Sequence, residues 1–298
     1  MSAASAARRV LITGAEGQLG WELARQFAGW GEVTTFDRRS LDVSDLAAIE
    51  RCCREVRPTL IINAAAYTAV DRAESEPALA MRINGDAPGV LAEEANRLGA
   101  TLVHYSTDYV FDGSATQPYR EDDATGPRSA YGRSKLAGEE VVAAVAKRFL
   151  IFRTSWLYGN RRQNFFLTML RLARERDELR VVADQVGSPT WVHCVAQVTR
   201  LVFAGAEASI DNGIYHLSAS GSTSWHGFAT AILDAVADHA RRANRVVPIT
   251  TADFPTPAAR PAYSVLSNAK LEAALGTRIS AWREQLAGCA AERAAEMA

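Results

Sequence analysis

One pattern narrows the fold of this chain more than any other: a short apolar run, a turn, then an amphipathic segment, repeated from residue 10 onward. Val10-Leu11-Ile12 leads into Thr13-Gly14-Ala15-Glu16-Gly17-Gln18-Leu19-Gly20 and a helix through about Phe27. Val33 to Phe36 reads as a second strand ending at Asp37. Asp45 is placed to cap a helix that Pro58 closes, and Leu60-Ile61-Ile62 is a third strand. A helix over Leu79 to Leu98, a strand at Thr101 to Tyr105, a long helix starting near Tyr131 and a strand at Phe149 to Arg153 follow. Strands alternating with helices of this length build βαβ units, whose crossovers are right-handed. The pattern predicts an α/β protein with a doubly wound parallel sheet of the Rossmann type.

The alternation degrades after about Gly159. An amphipathic helix (Phe165 to Arg176), an irregular strand-and-turn stretch (Leu179 to Val192), further helices and a proline-rich ordered loop around Phe254 to Pro261 come next. This predicts a dinucleotide-binding domain over residues 1–160 and a smaller C-terminal α/β substrate domain over 161–298, with a segment near 213–218 returning to the first. Met1 to Arg9 reads as a tail ahead of the first strand.

Composition excludes several classes of protein. A hydrophobic share of 48%, a charged share of 22% and a formal net charge of -1 give no electrostatic reason to expect nucleic acid or an anionic membrane as partner. The apolar stretch Thr59 to Val70 is too short to span a bilayer, and Met1 to Arg9 lacks the apolar core of a signal peptide. Cys52, Cys53, Cys194 and Cys289 are too few and too irregular for a disulfide framework. The five histidines form no HxxxH or Cys–His pair at zinc spacing, so no catalytic zinc is expected. These readings place the chain in the reducing cytoplasm.

The glycine cluster sits where a dinucleotide phosphate site needs it, after an apolar strand and opening a helix. Gly14 suits the tight turn, Gly17 lets the backbone approach a pyrophosphate, and Gly20 lets helix and sheet pack closely. The free N–H groups at the helix start bind the anion. The spacing is GxxGxxG rather than GxGxxG. At the end of the second strand Asp37 suits ribose hydroxyls and so NADH, whereas Arg38 suits a 2′-phosphate and so NADPH. Dual use with a lean to NADPH is expected, with Asp42 and Val43 covering the adenine.

Tyr131-Gly132-Arg133-Ser134-Lys135 sets a phenol and an ammonium four residues apart on one helical face. Reducing a ketone needs a hydride on carbon and a proton on oxygen, and a nearby ammonium should lower the phenol's pKa toward the working range. Alone the spacing is common. Its company raises it, because Tyr105-Ser106-Thr107-Asp108-Tyr109 follows the fourth strand and puts Thr107 at the sheet's C-terminal edge. There Thr107 can polarise a substrate carbonyl.

Together these residues resemble the extended short-chain dehydrogenase/reductases, and among them the dTDP-4-dehydrorhamnose reductase family. The resemblance covers nearly the whole chain, through LITGAEGQLGWEL (11–23), INAAAYTAVDRAESEP (62–77), HYSTDYVFDG (104–113), YGRSKLAGE (131–139), RTSWLYG (153–159), DQVGSPT (184–190), YHLSASGSTSWHGFA (215–229) and PTPAARPAYSVL (255–266). It implies NADPH- or NADH-dependent reduction of the 4-keto group of dTDP-6-deoxy-L-lyxo-4-hexulose, giving dTDP-L-rhamnose. It also implies Tyr131 as acid, Lys135 as its partner and Thr107 beside them. Gly14, Gly17, Gln18, Leu19, Gly20, Ala65, Ala66, Thr68 and Tyr105 would meet the cofactor. Asp108 and Trp156 would contact the sugar nucleotide, Trp156 through its aromatic face. Arg260 is a further candidate, for the substrate pyrophosphate, by its charge and loop position.

Some members of that family dimerise around magnesium held by glutamates. Glu22 matches the first such position, but His193 stands where a second glutamate is expected, and imidazole is a poor ligand for so hard a cation. No magnesium bridge is expected, and a monomer or a homodimer is left open. Two other readings stand beside the reductase. Sugar-nucleotide dehydratases and epimerases are related but carry Thr-Asp-Glu, whereas here Tyr109 follows Thr107-Asp108. The regulatory subunit of methionine adenosyltransferase resembles the same reductases while serving as a binding partner.

Overall fold

The computed structural model describes residues 8–205, 208–236 and 240–297; most of the N-terminal tail expected from the sequence lies outside them. The first half alternates β1 (Arg9–Thr13), α1 (Gln18–Phe27), β2 (Glu32–Phe36), α2 (Leu46–Val56) and β3 (Leu60–Asn63). It continues through α3 (Val70–Ala73), α4 (Pro77–Met81), α5 (Ala87–Leu98), β4 (Thr101–Thr107), α6 (Ala130–Val145) and β5 (Phe149–Thr154). After β6 (Leu157–Tyr158) come α7 (Phe165–Glu175), β7 (Glu178–Val182), β8 (Val186–Gly187), β9 (Thr190–Trp191), α8 (Val192–Val202) and β10 (Gly213–His216). The chain ends with β11 (Thr223–Ser224), α9 (Trp225–Ala235), β12 (Arg245–Ile249), α10 (Ala269–Leu275) and α11 (Trp282–Met297).

The main sheet runs β10-β5-β4-β3-β1-β2, and every pairing in it is parallel. Strand order reverses between β1 and β3, the switch point at which ligands of open α/β sheets bind. Alternate residues of β1 face opposite layers, as the period of a strand requires. Val10 and Ile12 pack with α1 and α8, while Leu11 packs with Ile49, Cys52 and Cys53 of α2, with Leu91 of α5 and with Val142 of α6. The α/β expectation therefore holds, with both faces of the sheet covered. Cys52 and Cys53 are buried in α2 as free thiols, packed as small apolar residues.

A second core gathers Tyr158, Phe166, Phe228, Trp282 and Leu286 from α7, α9, α11 and their neighbours. The helix read as continuous over Leu79 to Leu98 is interrupted by one π-helical turn, Arg82–Asp86. Its Asn84 side chain turns out of the helix. It accepts from the Tyr67 N–H at 2.8 Å and donates to the Tyr67 carbonyl and to Ser134 Oγ, both at 3.0 Å. No helix among the described residues is long and apolar enough to cross a membrane.

Candidate active site

The C-terminal ends of β1, β3, β4 and β5 open into one cavity of about 830 Å³. Gly14 begins its floor. The residue adopts φ +69°, and a Cβ there would lie 2.7 Å from the Ala65 nitrogen, so only glycine fits. Gly20 serves packing, since a Cβ on it would come within 2.1 Å of the Gly14 carbonyl oxygen. Gly17 caps α1 with no side-chain hydrogen bond, which leaves the helix's first N–H groups facing the cavity for an anion.

Gly14, Gly17, Gln18, Leu19, Arg38, Asp42, Val43, Ala65, Ala66 and Thr68 line the half nearest the glycine turn. Asp37 and Gly20 are not among the lining residues. The Asp37 carboxylate is committed to its own turn. It accepts from the Ser40 hydroxyl at 2.6 Å and from the Ser40 and Arg39 N–H groups, and the Ser40 contacts hold its pKa below the ordinary aspartate value. Of the two competing residues, Arg38 is the one that reaches the cavity.

Tyr105, Thr107, Asp108, Tyr131, Lys135 and Trp156 line the other half. Ser129 caps α6 by accepting from the Gly132 N–H, which starts the helix one residue before Tyr131. Close contact of Gly132 with the Tyr109 backbone sets the first turn of α6 against the end of β4, because a Cβ there would meet the Tyr109 carbonyl oxygen at 2.3 Å. Tyr131 meets the Tyr109 ring edge-on at 5.6 Å. Burial pushes its phenol up to about 12, opposed by a hydrogen bond with the Thr107 hydroxyl. This corrects the expectation that the lysine would lower it. Lys135 is itself buried, which pulls it down to about 8, and its nitrogen donates to the Tyr105 carbonyl at 2.6 Å.

Asp108 is fully enclosed. It accepts from Thr107 Oγ1 and from Ser155 Oγ at 3.0 Å each, yet desolvation still raises its carboxyl to about 6. Trp156 holds a left-handed backbone (φ +47°), a cost of roughly 1–2 kcal/mol for a non-glycine residue. Strain of this kind gathers at functional sites. Arg260 lies elsewhere: its guanidinium forms a two-pronged pair with Asp71 at 2.8 and 2.9 Å, outside the cavity lining. Charge and loop position suggested a phosphate ligand, and here the guanidinium is paired with the carboxylate of α3.

Residues not singled out from the sequence complete the walls. Arg162, Asn164 and Trp225 come from the C-terminal half. Ser106 and Thr154 place buried hydroxyls there with no protein partner, which is how a surface built for a polar ligand looks. Neither had a motif to mark it.

An unpartnered anion-binding helix start, a glycine floor, an arginine at the far end and a Tyr–Thr–Lys group in the same cavity define a nicotinamide-dependent reductase of the extended short-chain type. The match to the family model described as RmlD substrate binding domain runs over residues 8–295, and the chain belongs to that family. It is 47% identical to the dTDP-4-dehydrorhamnose reductase of Burkholderia thailandensis, over 94% of this chain and 97% of that one. The crystal structure of a dTDP-4-dehydrorhamnose reductase from Clostridium acetobutylicum superposes with TM-score 0.88 at 41% identity, covering 96% of this chain and 99% of that one. The Bacillus anthracis reductase, solved in complex with NADP, gives TM-score 0.88 at 38% identity with the same coverage of each chain.

One further cluster lies outside the cavity. Ligand atoms of Glu22, His193 and Glu292 lie within 4.8 Å of one another. Arg25 Nη1 stands 3.3 Å from a carboxylate oxygen of each glutamate, and His193 Nδ1 is 3.2 Å from Glu22. Glu292 had not been anticipated from the sequence.

Proposed function

We propose that this chain reduces the 4-keto group of dTDP-6-deoxy-L-lyxo-4-hexulose to give dTDP-L-rhamnose, a precursor of surface polysaccharide. NADPH is the preferred donor and NADH the second. The observation that carries the reading is the convergence of Tyr131, Thr107 and Lys135 on the cavity that holds the glycine turn and Arg38. NADPH, when bound, supplies the hydride to the sugar carbon. The Tyr131 phenol gives its proton to the oxygen, and its high pKa suits that direction: the phenol stays protonated at neutral pH, and an alkoxide is a far stronger base than a phenolate. Thr107 turns its hydroxyl from Asp108 to the ketone oxygen, and Asp108 and Trp156 hold the sugar. Tyr109 occupies the place of a dehydratase's second carboxylate, so water elimination lacks its acid–base pair.

We further propose that residues 161–298 form most of the sugar-nucleotide side, with β10 completing the dinucleotide sheet, and that the enzyme works in the cytoplasm as a monomer or homodimer. Arg25 supplies the positive charge between Glu22 and Glu292, so no magnesium bridge is required there. The test is steady-state oxidation of NADPH and of NADH with the dTDP-keto sugar. The wild type should turn over, preferring NADPH. Tyr131→Phe should lose about 10²–10⁴ in kcat while still binding NADPH. Equal inertness of both proteins would overturn the reading.

A further inference from the structure

Thr13 and Asn63 at the ends of β1 and β3 and His104 in the middle of β4 stand side by side, paired laterally across the sheet. All three side chains are buried, and together they form a rung that ends on the catalytic helix. The Ala65 N–H donates to Thr13 Oγ1 at 3.2 Å, and the Thr13 hydroxyl donates to Asn63 Oδ1 at 2.7 Å. Asn63 Nδ2 lies 3.1 Å from His104 Nδ1, and His104 Nε2 lies 3.3 Å from Lys135 Nζ. The reductase reading uses Lys135 but leaves the other members of this chain without a role.

The rung has a direction. Thr13 has one proton, and its oxygen already accepts from Ala65, so the proton goes to Asn63 Oδ1. The amide nitrogen of Asn63 then faces His104 Nδ1 as a donor. His104 is neutral, since burial and the charge of Lys135 hold it well below the ordinary imidazole value. With Nδ1 accepting, its single proton sits on Nε2 and points at Lys135. An amine accepts that bond, whereas an ammonium opposes it. The reverse polarity would rotate the Asn63 amide, bring two donors onto Thr13 and leave the threonine's own proton without a place in the chain.

We propose that His104 is a positioning residue for Lys135: it holds the lysine nitrogen beneath the Tyr105 carbonyl and, through the rung that starts at the glycine turn, weighs the amine against the ammonium. The other groups about Lys135 do not supply this. Glu139, one turn further along α6, favours the ammonium, but its carboxylate is itself taken by Arg153 of β5 at 2.7 Å in a buried pair. Tyr131 lies one turn earlier, and Asp108 at the end of β4 is bonded to Thr107 and Ser155.

The chain contains only three lysines, Lys135, Lys147 and Lys270, so its lysine side chains can be followed individually by NMR in isotope-labelled protein. This arm needs no substrate. The activity arm rests on the proposed reduction, so failure of that reading would silence the activity arm and leave the NMR arm standing. In wild type the Lys135 signal should titrate near 8. His104→Gln offers a carbonyl oxygen in place of the Nε2–H and should raise that midpoint by about one unit, tenfold in proton affinity. Asn63→Asp forces the imidazole proton onto Nδ1 and should move it the same way, which keeps the test open if the glutamine variant fails to fold. Lys147 and Lys270 should not move. The alkaline limb of kcat should follow the Lys135 midpoint upward, with the KM for the keto sugar little changed. A folded variant that leaves both the Lys135 midpoint and the pH profile of kcat where they are in wild type overturns the proposal.

Discussion

Trp156 lies flat on Trp225, with ring centroids 3.4 Å apart and planes 4° from parallel. The stack joins the end of β5, from the sheet that carries the glycine turn, to the first residue of α9 in the second core. Both rings line the cavity, so the two halves of the protein meet there through stacked aromatic faces.

Gly187 fixes the edge of that stack. A Cβ on it would come within 2.4 Å of Trp156 Cε2, and β8 is held in place by its pairing with β11. Gly187→Ala should therefore push the indole away from Trp225, with an overpacking cost of about 1–3 kcal/mol. The KM for the sugar nucleotide should rise about tenfold, while the KM for NADPH stays within twofold, since the glycine turn lies at the other end of the cavity. Steady-state kinetics in each substrate, beside a thermal melt, checks both.

Cofactor choice should follow Arg38. Asp37 spends its carboxylate on Ser40 and Arg39, whereas Arg38 reaches the cavity. In Arg38→Ala the KM for NADPH should rise about tenfold, the loss expected for one charge-assisted contact to a phosphate, and the KM for NADH should change little. An equal rise for both cofactors would place the 2′-phosphate elsewhere.

These assignments show what the sequence could carry. The order of strands and the residues on the sheet's C-terminal edge were legible because apolar runs, glycines and caps are local signals. Thr13 through Gly20 and Ser129 through Lys135 need only their own neighbours to take shape. The pairing of Arg260 was not legible for the opposite reason: its partner Asp71 lies 189 residues away, and no local pattern announces a long-range pair. Ser106, Thr154 and Trp225 were missed because their role is set by which wall they face. The phenol of Tyr131 was misjudged in direction, since spacing reports proximity to Lys135 but not how dry both groups become.

Oligomeric state should not depend on divalent metal. Glu22 and Glu292 share the Arg25 guanidinium, and His193 adds an imidazole rather than a third carboxylate. Sedimentation velocity should give the same mass with and without EDTA. A species that dissociates on chelation would show that a cation outcompetes Arg25.

Asp108 sets an opposition between stability and function that can be read against pH. Its carboxyl sits at about 6 in the fold against an ordinary value of 3.8, so the folded protein holds this proton more tightly than the unfolded chain. Stability from this group is therefore greatest below the unfolded value and is lost as pH rises through about 6. At neutral pH the carboxylate stands as a cost on the order of 1–3 kcal/mol. Asp108→Asn removes the charge at nearly constant shape. It should raise the melting temperature at pH 7, and the gain should shrink as the pH approaches 4, where the wild-type carboxyl is already protonated. The same variant turns an acceptor toward Thr107 and Ser155 into a group that also donates, so kcat/KM for the keto sugar should fall about tenfold or more. In wild type, kcat/KM should decline below about pH 6 as the carboxylate is lost, and the variant's profile should lack that limb. Melts and rate profiles over pH 4 to 8 on the two proteins decide it. A variant less stable than wild type at pH 7, or one that keeps the acid limb, would show that Asp108 is not the group that titrates there.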